Sequence, residues 1–214
     1  MITIGIAGIT GKFGLTLTSN LLKQPSVSLR GLCRNPSKLP PHLLSSPRIV
    51  LQQGDANDFL SARAFAKGCD VVICCYLGAP SLMEAGQRLL IDACEAEHVP
   101  RYIASDYTLD YTKLEYGDLP AKDAMKSVME YAETKDGVKG VHVLIGVLME
   151  TWWSEVFGVW NAKGKEFRFW GTGEEKWECT TYGNAAKWVA GVAMDREAVG
   201  VMKCMSFRSP YNYL

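Results

Sequence analysis

Short apolar runs alternate with longer amphipathic stretches along most of the chain. The apolar runs predict strands at 1–7, 27–33, 49–55 with its turn, 69–75, 101–105, 141–148 and 200–207. The amphipathic stretches predict helices at 15–22, 58–66, 81–97, 120–134 and 184–194. Strands that alternate with helices build a parallel sheet through right-handed crossovers. The pattern therefore predicts the α/β class, as a Rossmann-type, doubly wound parallel sheet.

A glycine-rich turn joins the first predicted strand to the first helix. Its residues are Gly8, Thr10, Gly11, Lys12, Phe13 and Gly14. Gly8 permits a tight turn, Gly11 lets phosphates approach the backbone, and Gly14 allows the helix to pack closely on the sheet. The free amides at the helix start favour a bound pyrophosphate over the alternative, an ordinary turn between strand and helix.

The second predicted strand ends in a basic stretch, with Arg34 directly after it and Lys38 one turn later. In a dinucleotide fold an acidic residue at this place binds the 2′-hydroxyl of the ribose, whereas arginine pairs with a 2′-phosphate. We therefore expect NADP rather than NAD. The alternative is that Arg34 is only a solvated surface residue.

Ligands of open α/β sheets bind outside the carboxyl ends of the strands. The fourth predicted strand is followed there by Tyr76, Leu77 and Gly78, and the fifth ends at Ser105. We expect the nicotinamide to lie near these residues, although Tyr76 fits a cap on the core equally well.

The character of the chain changes near residue 150, because all six tryptophans lie between 152 and 188. Two short strands, 165–170 and 176–180, are predicted around the turn at 171–173. We divide the chain into a nucleotide-binding domain, 1–150, and a small aromatic lobe, 151–214, packed on it without a clear linker. The tryptophans either line a substrate pocket or fill a core between lobe and sheet.

Composition narrows the function classes. The chain has 23 basic and 23 acidic residues, so no net charge favours nucleic acid or an anionic membrane. No apolar window is long enough to span a bilayer and no signal peptide is recognised, so a cytoplasmic protein is expected. The seven cysteines form no CxxC pair and the three histidines lack ligand spacing, which predicts reduced core thiols and no metal site.

The chain resembles the NmrA-like and isoflavone-reductase-like branch of the atypical short-chain dehydrogenase/reductase superfamily, in particular its fungal members. The resemblance rests on Gly8–Gly14, Arg34–Pro36, Gly54–Asp55, Gly68–Ile73, Val99–Ser105, Trp170–Gly173 and Asn184–Ala186. It implies NADP as cofactor, with Asp55 among its contacts. Members usually continue well beyond the strand that ends here at Phe207, so we expect a reduced substrate lobe. Its pocket is then open, or a homodimer or other partner completes it.

The resemblance also implies an active-site lysine at the start of the helix after the fifth strand, and Lys122 matches that place. Such a lysine contacts the cofactor and takes part in proton transfer. Most short-chain dehydrogenases pair it with a tyrosine four residues earlier, where this chain has Asp118. Tyr131 and Lys135 have the right spacing but lie near the far end of the helix, so we interpret that pair as a coincidence.

The expected function is an NADP-dependent oxidoreductase that acts on a small hydrophobic molecule, such as a secondary metabolite. Lys122, or one of three loop tyrosines, would transfer the proton. These tyrosines are Tyr107, Tyr111 and Tyr116. One alternative is an isomerase or cyclase that uses Asp106, Lys122 or Glu150. Another is a regulatory protein that binds NADP and reports its redox state to a protein partner.

Overall fold

The computed structural model describes residues 1–154, 157–168 and 171–210, with only the backbone for 207–210. The strands are β1 (Ile2–Ala7), β2 (Val27–Cys33), β3 (Ile49–Gln53), β4 (Val71–Cys74), β5 (Arg101–Ile103), β6 (Lys139–Leu144), β7 (Val147–Leu148), β8 (Trp160–Asn161), β9 (Glu166–Phe167), β10 (Lys176–Thr180), β11 (Gly200–Lys203) and β12 (Phe207–Pro210). The helices are α1 (Lys12–Leu21), α2 (Pro41–Leu44), α3 (Phe59–Ala66), α4 (Gln87–Ala96), α5 (Pro120–Glu133), α6 (Met149–Trp152) and α7 (Tyr182–Met194). The predicted signature residue Trp170 lies outside the described residues.

Seven strands form the main sheet in the order β11-β6-β5-β4-β1-β2-β3. Every neighbouring pair is parallel. β1 pairs with β2 on one side and with β4 on the other, so the strand order reverses at β1. The predicted Rossmann-type sheet is confirmed, and its switch point lies where the glycine turn begins.

Alternate side chains of the strands enter two cores, one on each face of the sheet. Ile4 and Ile6 of β1 join the core that contains Leu17 of α1 and Val189 of α7. The opposite core is built from α3, α4 and α5 and from alternate residues of β4 and β5. Because both faces are covered, the strands are apolar throughout, as β4 shows by being buried at every position.

Several predicted boundaries differ from the structure. α1 begins at Lys12 rather than at 15, since the glycine turn runs directly into the helix. The strand expected at 141–148 is interrupted at Gly146, whose φ is +73° and whose added Cβ would lie 2.0 Å from the Glu178 carbonyl oxygen. The strand expected at 200–207 ends at Lys203.

The two short strands expected at 165–170 and 176–180 are present as β9 and β10, but the described residues of the two strands do not pair with each other. In the described residues β9 pairs with β8, whereas β10 pairs antiparallel with β12 and parallel with β7. The turn between them folds on itself, because the carboxylate of Glu175 accepts the backbone amides of Thr172 and Gly173. Such long-range pairings leave no local signal in the sequence.

The aromatic region has a small core of its own around Trp152, whose ring centroid lies 4.4 Å from that of Trp177. Later residues return to the main layers: α7 joins the core on one face and β11 becomes an edge strand.

The division of the chain at residue 150 stays a prediction. Among the described helices none combines the length and apolarity that a membrane span requires.

Candidate functional site

The carboxyl ends of β1, β2, β4 and β5 meet at one edge of the sheet, and most predicted site residues lie there. Hydrogen bonds join the segments that leave these strands. The Gly8 amide donates to Leu32 O at 2.9 Å, and Ser105 Oγ donates to Tyr76 O at 2.7 Å. The structure therefore brings the glycine turn, Tyr76 and Ser105 together.

Two glycines of the turn are required by space and conformation. Gly8 has φ of +83°, and an added Cβ would lie 2.9 Å from Cys75 O. A Cβ on Gly14 would lie 2.5 Å from Gly8 O and 3.0 Å from Ile9 Cα. These neighbours are backbone atoms, so the roles predicted for Gly8 and Gly14 agree with the packing.

The first turn of α1 presents free backbone amides. Gly11 is the N-cap, no side chain caps the helix, and the first turn has no acidic residue. Leu15 N donates to Gly11 O at 2.9 Å, whereas within the described residues Lys12, Phe13 and Gly14 have no partner for their amides. An uncapped N-terminus of this kind binds anions through its amides and its dipole.

Aromatic rings border the glycine turn. The Phe13 ring centroid lies 4.3 Å from that of Tyr107, and Lys12 Nζ lies 4.0 Å from the centroid of the Tyr182 ring. Tyr182 opens α7, where its amide donates to both carboxylate oxygens of Glu150 at 3.0 Å. Sequence reasoning missed Tyr182, since nothing local links it to Lys12. Glu150, considered above as an acid or base, serves here as a cap of α7.

Arg34 follows β2 directly and Lys38 lies four residues later, and both are exposed. The carbonyl of Arg34 accepts from Gln53 Nε2 at 3.0 Å, and Asn35 caps the short 3-10 turn that carries Lys38. Within the described residues neither cationic head has a hydrogen bond or an ion pair. Arg30 on β2 differs, because it donates to the carbonyls of Phe65 and Ala64. Arg34 and Lys38 are thus free to meet an anion.

The other predicted contacts take different positions along the edge. Asp55 is exposed after β3, and its Oδ1 accepts from the Asn57 amide at 3.2 Å. Tyr76 packs against the core beneath it, and burial raises its pKa. Leu77 is 88% exposed, and Gly78 beside it is exposed too. Tyr76 therefore acts as a cap on the core, while Leu77 presents an apolar surface at the edge.

A buried polar cluster joins the segment that follows β5 to the middle of β6. Asp106 Oδ2 is 2.8 Å from His142 Nδ1, and the Tyr111 hydroxyl is 3.3 Å from the same nitrogen. Asp106 Oδ1 is buried without a hydrogen-bond partner in the described part of the chain. His142 was missed as a site residue; the only signal is one polar residue within an apolar strand.

Lys122 lies in the first turn of α5 with its side chain half-buried. Burial lowers the pKa of Lys122, and the charge of Asp106 opposes that effect. The structure thus brings two predicted catalytic residues within electrostatic reach of each other. A buried amine with a lowered pKa is suited to proton transfer.

The loop tyrosines have hydroxyls that are already engaged. Tyr107 has φ of +41° and donates to Cys74 O at 2.9 Å; burial raises its pKa well above the ordinary value. Tyr116 donates to Glu130 Oε2 at 2.8 Å. Burial likewise raises the pKa of Tyr111 within the buried cluster. Within the described residues the Lys122 amine, by contrast, has no hydrogen bond or ion pair, and its role as proton donor stays a prediction.

Tyr131 and Lys135 lie away from this edge. Tyr131 donates to Asp92 Oδ1 at 2.6 Å, and Lys135 pairs with Asp92 at 2.6 Å and with Glu95 at 3.0 Å. These contacts join α5 to α4. They agree with the interpretation of the Tyr-x-x-x-Lys spacing as a coincidence.

A cavity of about 310 Å³ lies at the opposite, amino end of the sheet. It is lined by Met129 and Lys135 from the α5 side, Lys139 and His142 from β6, and Val201 from β11. Its lining includes no residue of the glycine turn, so we do not assign it to the cofactor.

A family model described as NAD(P)H-binding matches residues 8–138. No curated protein matches the sequence significantly. Among solved structures, the NADPH-dependent quinone oxidoreductase of Escherichia coli in complex with NADPH is 20% identical, with a TM-score of 0.76 over 97% of this chain and 71% of that one. An isoflavone reductase is 18% identical, with a TM-score of 0.73 over 94% and 68%. NmrA, a negative transcriptional regulator, is 14% identical, with a TM-score of 0.79 over 99% and 69%. At these identities the likeness is one of fold.

Proposed function

The chain belongs to the NAD(P)H-binding family, and from that premise we propose that it is an NADP-dependent oxidoreductase acting on a small hydrophobic substrate. The resemblance to NmrA-like and isoflavone-reductase-like proteins is confirmed by this match and by the shared fold. The link to fungal members stays a prediction.

One observation carries the proposal: free helix amides and two unpaired cations lie at the switch point of the sheet. The amides of Lys12, Phe13 and Gly14 would hold the pyrophosphate, since the turn leaves their N–H groups unpaired. Arg34 and Lys38 would hold the 2′-phosphate, because a guanidinium pairs with phosphate oxygens. The crowded backbone at Gly8 and Gly14 fits such a cradle, and no acidic side chain in the first turn opposes an anion.

A bound nicotinamide would supply the hydride chemistry. Lys122 would give a proton from Nζ to the developing anion of the substrate, or take one in the reverse direction. Its half-buried position lowers its pKa toward the working range of such a donor, and the carboxylate of Asp106 keeps it from losing the proton too easily. The exposed Leu77 would contribute to the apolar surface that a hydrophobic substrate contacts.

A non-enzymatic NADP-binding regulator is the second candidate. It is favoured by the fold that the chain shares with NmrA, a negative transcriptional regulator, at a TM-score of 0.79. A sensor needs the nucleotide site alone, whereas an enzyme also needs a substrate pocket beside it. NADPH oxidation with a panel of quinones and enones separates the two candidates: a sensor binds the nucleotide without turnover.

Calorimetric titration with NADPH and NADH tests the nucleotide assignment. Arg34→Ala should weaken NADPH binding about ten-fold or more and leave NADH binding unchanged, since a charge-assisted contact is worth roughly 1.5 to 3 kcal/mol. Arg196→Ala is the control, because Arg196 is also an exposed arginine but forms its ion pair with Asp70, beyond the amino end of β4. Equal losses for both nucleotides in Arg34→Ala would contradict the assignment.

A further inference from the structure

A histidine ring forms part of the wall of the 310 Å³ cavity at the amino end of the sheet. His142 is only 3% exposed, and its two hydrogen-bonding contacts both fall on Nδ1: Asp106 Oδ2 lies at 2.8 Å and the Tyr111 hydroxyl at 3.3 Å. Within the described residues the other ring nitrogen, Nε2, has no hydrogen-bond partner. Most buried polar atoms in folded proteins have one, so the place of Nε2 beside a cavity requires an explanation.

The position of Gly140 shows that Nε2 faces the cavity. Gly140 and His142 are two residues apart on β6, so their side-chain directions share one face of the sheet. A Cβ added to Gly140 would lie 3.0 Å from His142 Nε2 and 3.1 Å from the Cβ of Ala132 on α5. All three residues line the cavity. The glycine therefore leaves space within contact distance of Nε2.

The partner of Nδ1 determines what Nε2 can bind. An ionised carboxylate only accepts hydrogen bonds, so the 2.8 Å contact assigns a proton to Nδ1 of His142, which donates to Asp106 Oδ2. The second nitrogen of a neutral imidazole then carries a lone pair. The bond to Asp106 also fixes the orientation of the ring. Nε2 is thus a held acceptor, and it needs a ligand that donates a hydrogen bond.

The remainder of the cavity wall is largely apolar. Met129 and Ala132 lie on the α5 side, and Val199 and Val201 lie on the β11 side. Val199 and Val201 are 47% and 41% exposed, so the cavity opens to solvent along the edge strand. An apolar cavity of about 150 Å³ already admits a benzene ring. The space is therefore sufficient for a ligand with one aromatic ring.

The charged side chains at the cavity balance each other. Glu133 and Lys139 are both exposed and opposite in sign. Lys135 is held by ion pairs with Asp92 and Glu95. No excess of either charge selects an anion or a cation, which favours a neutral ligand.

We propose that this cavity is a second binding site, which takes a small neutral apolar molecule with a hydroxyl group, such as a phenol or a compact alcohol. The hydroxyl donates to His142 Nε2, while the apolar part packs against Met129, Ala132 and Val201. The proposal does not depend on the nucleotide function proposed above, since none of these residues belongs to the glycine turn.

Phenol and toluene are the probes, because they share a ring and differ in one group, a hydroxyl or a methyl. Each is titrated into the nucleotide-free, ¹⁵N-labelled protein, with binding followed by NMR at the amides of the cavity wall. The ring nitrogens of His142 are assigned by their loss in His142→Gln, and Nε2 should be the one without a proton. Phenol should shift Nε2 and bind about three-fold or more tighter than toluene. A cavity without a free acceptor would prefer toluene, since phenol gives up its bond to water on entry.

Two glycine variants locate the bound hydroxyl. Gly140→Ala places a Cβ 3.0 Å from Nε2 and should weaken phenol binding about ten-fold or more, with the Nδ1 resonance unchanged. Gly137→Ala is the matched control, because its Cβ would meet only Glu95 Cγ, at 3.7 Å, and Gly137 is not part of the cavity wall. It should bind phenol as the wild type does. If Gly140→Ala does not fold, Val201→Trp replaces it, since a large ring at this exposed position would fill the opening.

Several results would overturn the proposal. They are a proton on Nε2 in the free protein, toluene bound as tightly as phenol, and an Nε2 resonance that does not move at the highest soluble phenol concentration. Unchanged phenol affinity in Gly140→Ala, or in Val201→Trp where that variant replaces it, would do the same. NADPH titration of the wild type judges the proposed function separately, because this experiment uses no nucleotide.

Discussion

The two halves of the functional edge are built in different ways. On the nucleotide side, residues 8–14 are consecutive in the chain, and backbone atoms determine their shape, as the 2.5 Å approach of a Gly14 Cβ to Gly8 O shows. On the acid–base side, Asp106, His142 and Lys122 come from a loop, a strand and a helix; a side-chain hydrogen bond joins the first two, and Lys122 experiences the charge of Asp106. The first half tolerates almost no change in volume, whereas the second depends on charge and hydrogen bonding.

Among the variants considered, a substitution of Gly14 should change the free energy of unfolding the most. Gly14→Ala would force a Cβ against the Gly8 carbonyl oxygen and Ile9 Cα, which are backbone atoms that cannot rotate away. We expect a loss of about 1 to 3 kcal/mol in the free energy of unfolding in urea, together with weaker NADPH binding.

Gly191→Ala is the matched control, because Gly191 lies inside α7 and an added Cβ there meets no atom within 4 Å. It should stabilise the protein by up to about 1 kcal/mol, since alanine favours a helix over glycine. A Gly14→Ala protein as stable as the wild type would show that the turn is less constrained than its geometry indicates.

The same contrast explains what sequence reasoning could predict. The parallel sheet, the glycine turn and the place of Arg34 follow from local patterns, and the strand at 27–33 has the predicted bounds. The partnership of Asp106 with His142 joins residues 36 positions apart and leaves no periodic signal. The pairing of β10 with β7 and β12 was missed for the same reason, and Gly146 shows where a close approach of β10 interrupts an otherwise continuous apolar run.

On the acid–base side we expect a smaller change in the free energy of unfolding, opposite in sign to that of Gly14→Ala. Lys122→Met should raise the free energy of unfolding at pH 7 by about 0.5 to 1 kcal/mol, because it removes a partly desolvated charge kept for function. Lys126→Met, four residues later, should lower it by a similar amount, since Lys126 donates to Leu114 O and lies 5.3 Å from the centroid of the Tyr116 ring.

The pH dependence checks the cause. Below the lowered pKa of the folded state Lys122 is protonated in both states, so the folded protein carries the full burial penalty there. Between the lowered pKa of the folded state and the ordinary value of 10.5, the folded lysine releases its proton while the unfolded one keeps it. Stability of the wild type should therefore rise with pH in that window relative to Lys122→Met. A constant difference between the two proteins would exclude burial of the ammonium as the cause.

The smallest effect is expected for the pair that matches the short-chain dehydrogenase spacing. Tyr131 and Lys135 contact Asp92 and Glu95 on α4, and at 1.5 Å per residue Tyr131 lies about 13 Å along α5 from Lys122. Tyr131→Phe with Lys135→Met should leave NADPH affinity within about two-fold of the wild type and cost no more than about 1 kcal/mol of stability, as for other partly exposed ion pairs. Calorimetry and urea unfolding measure both quantities. If this double variant lost as much nucleotide binding or turnover as Lys122→Met does, the acid–base site would have to be assigned to the far end of α5. The contrast between the two halves of the edge would then no longer hold.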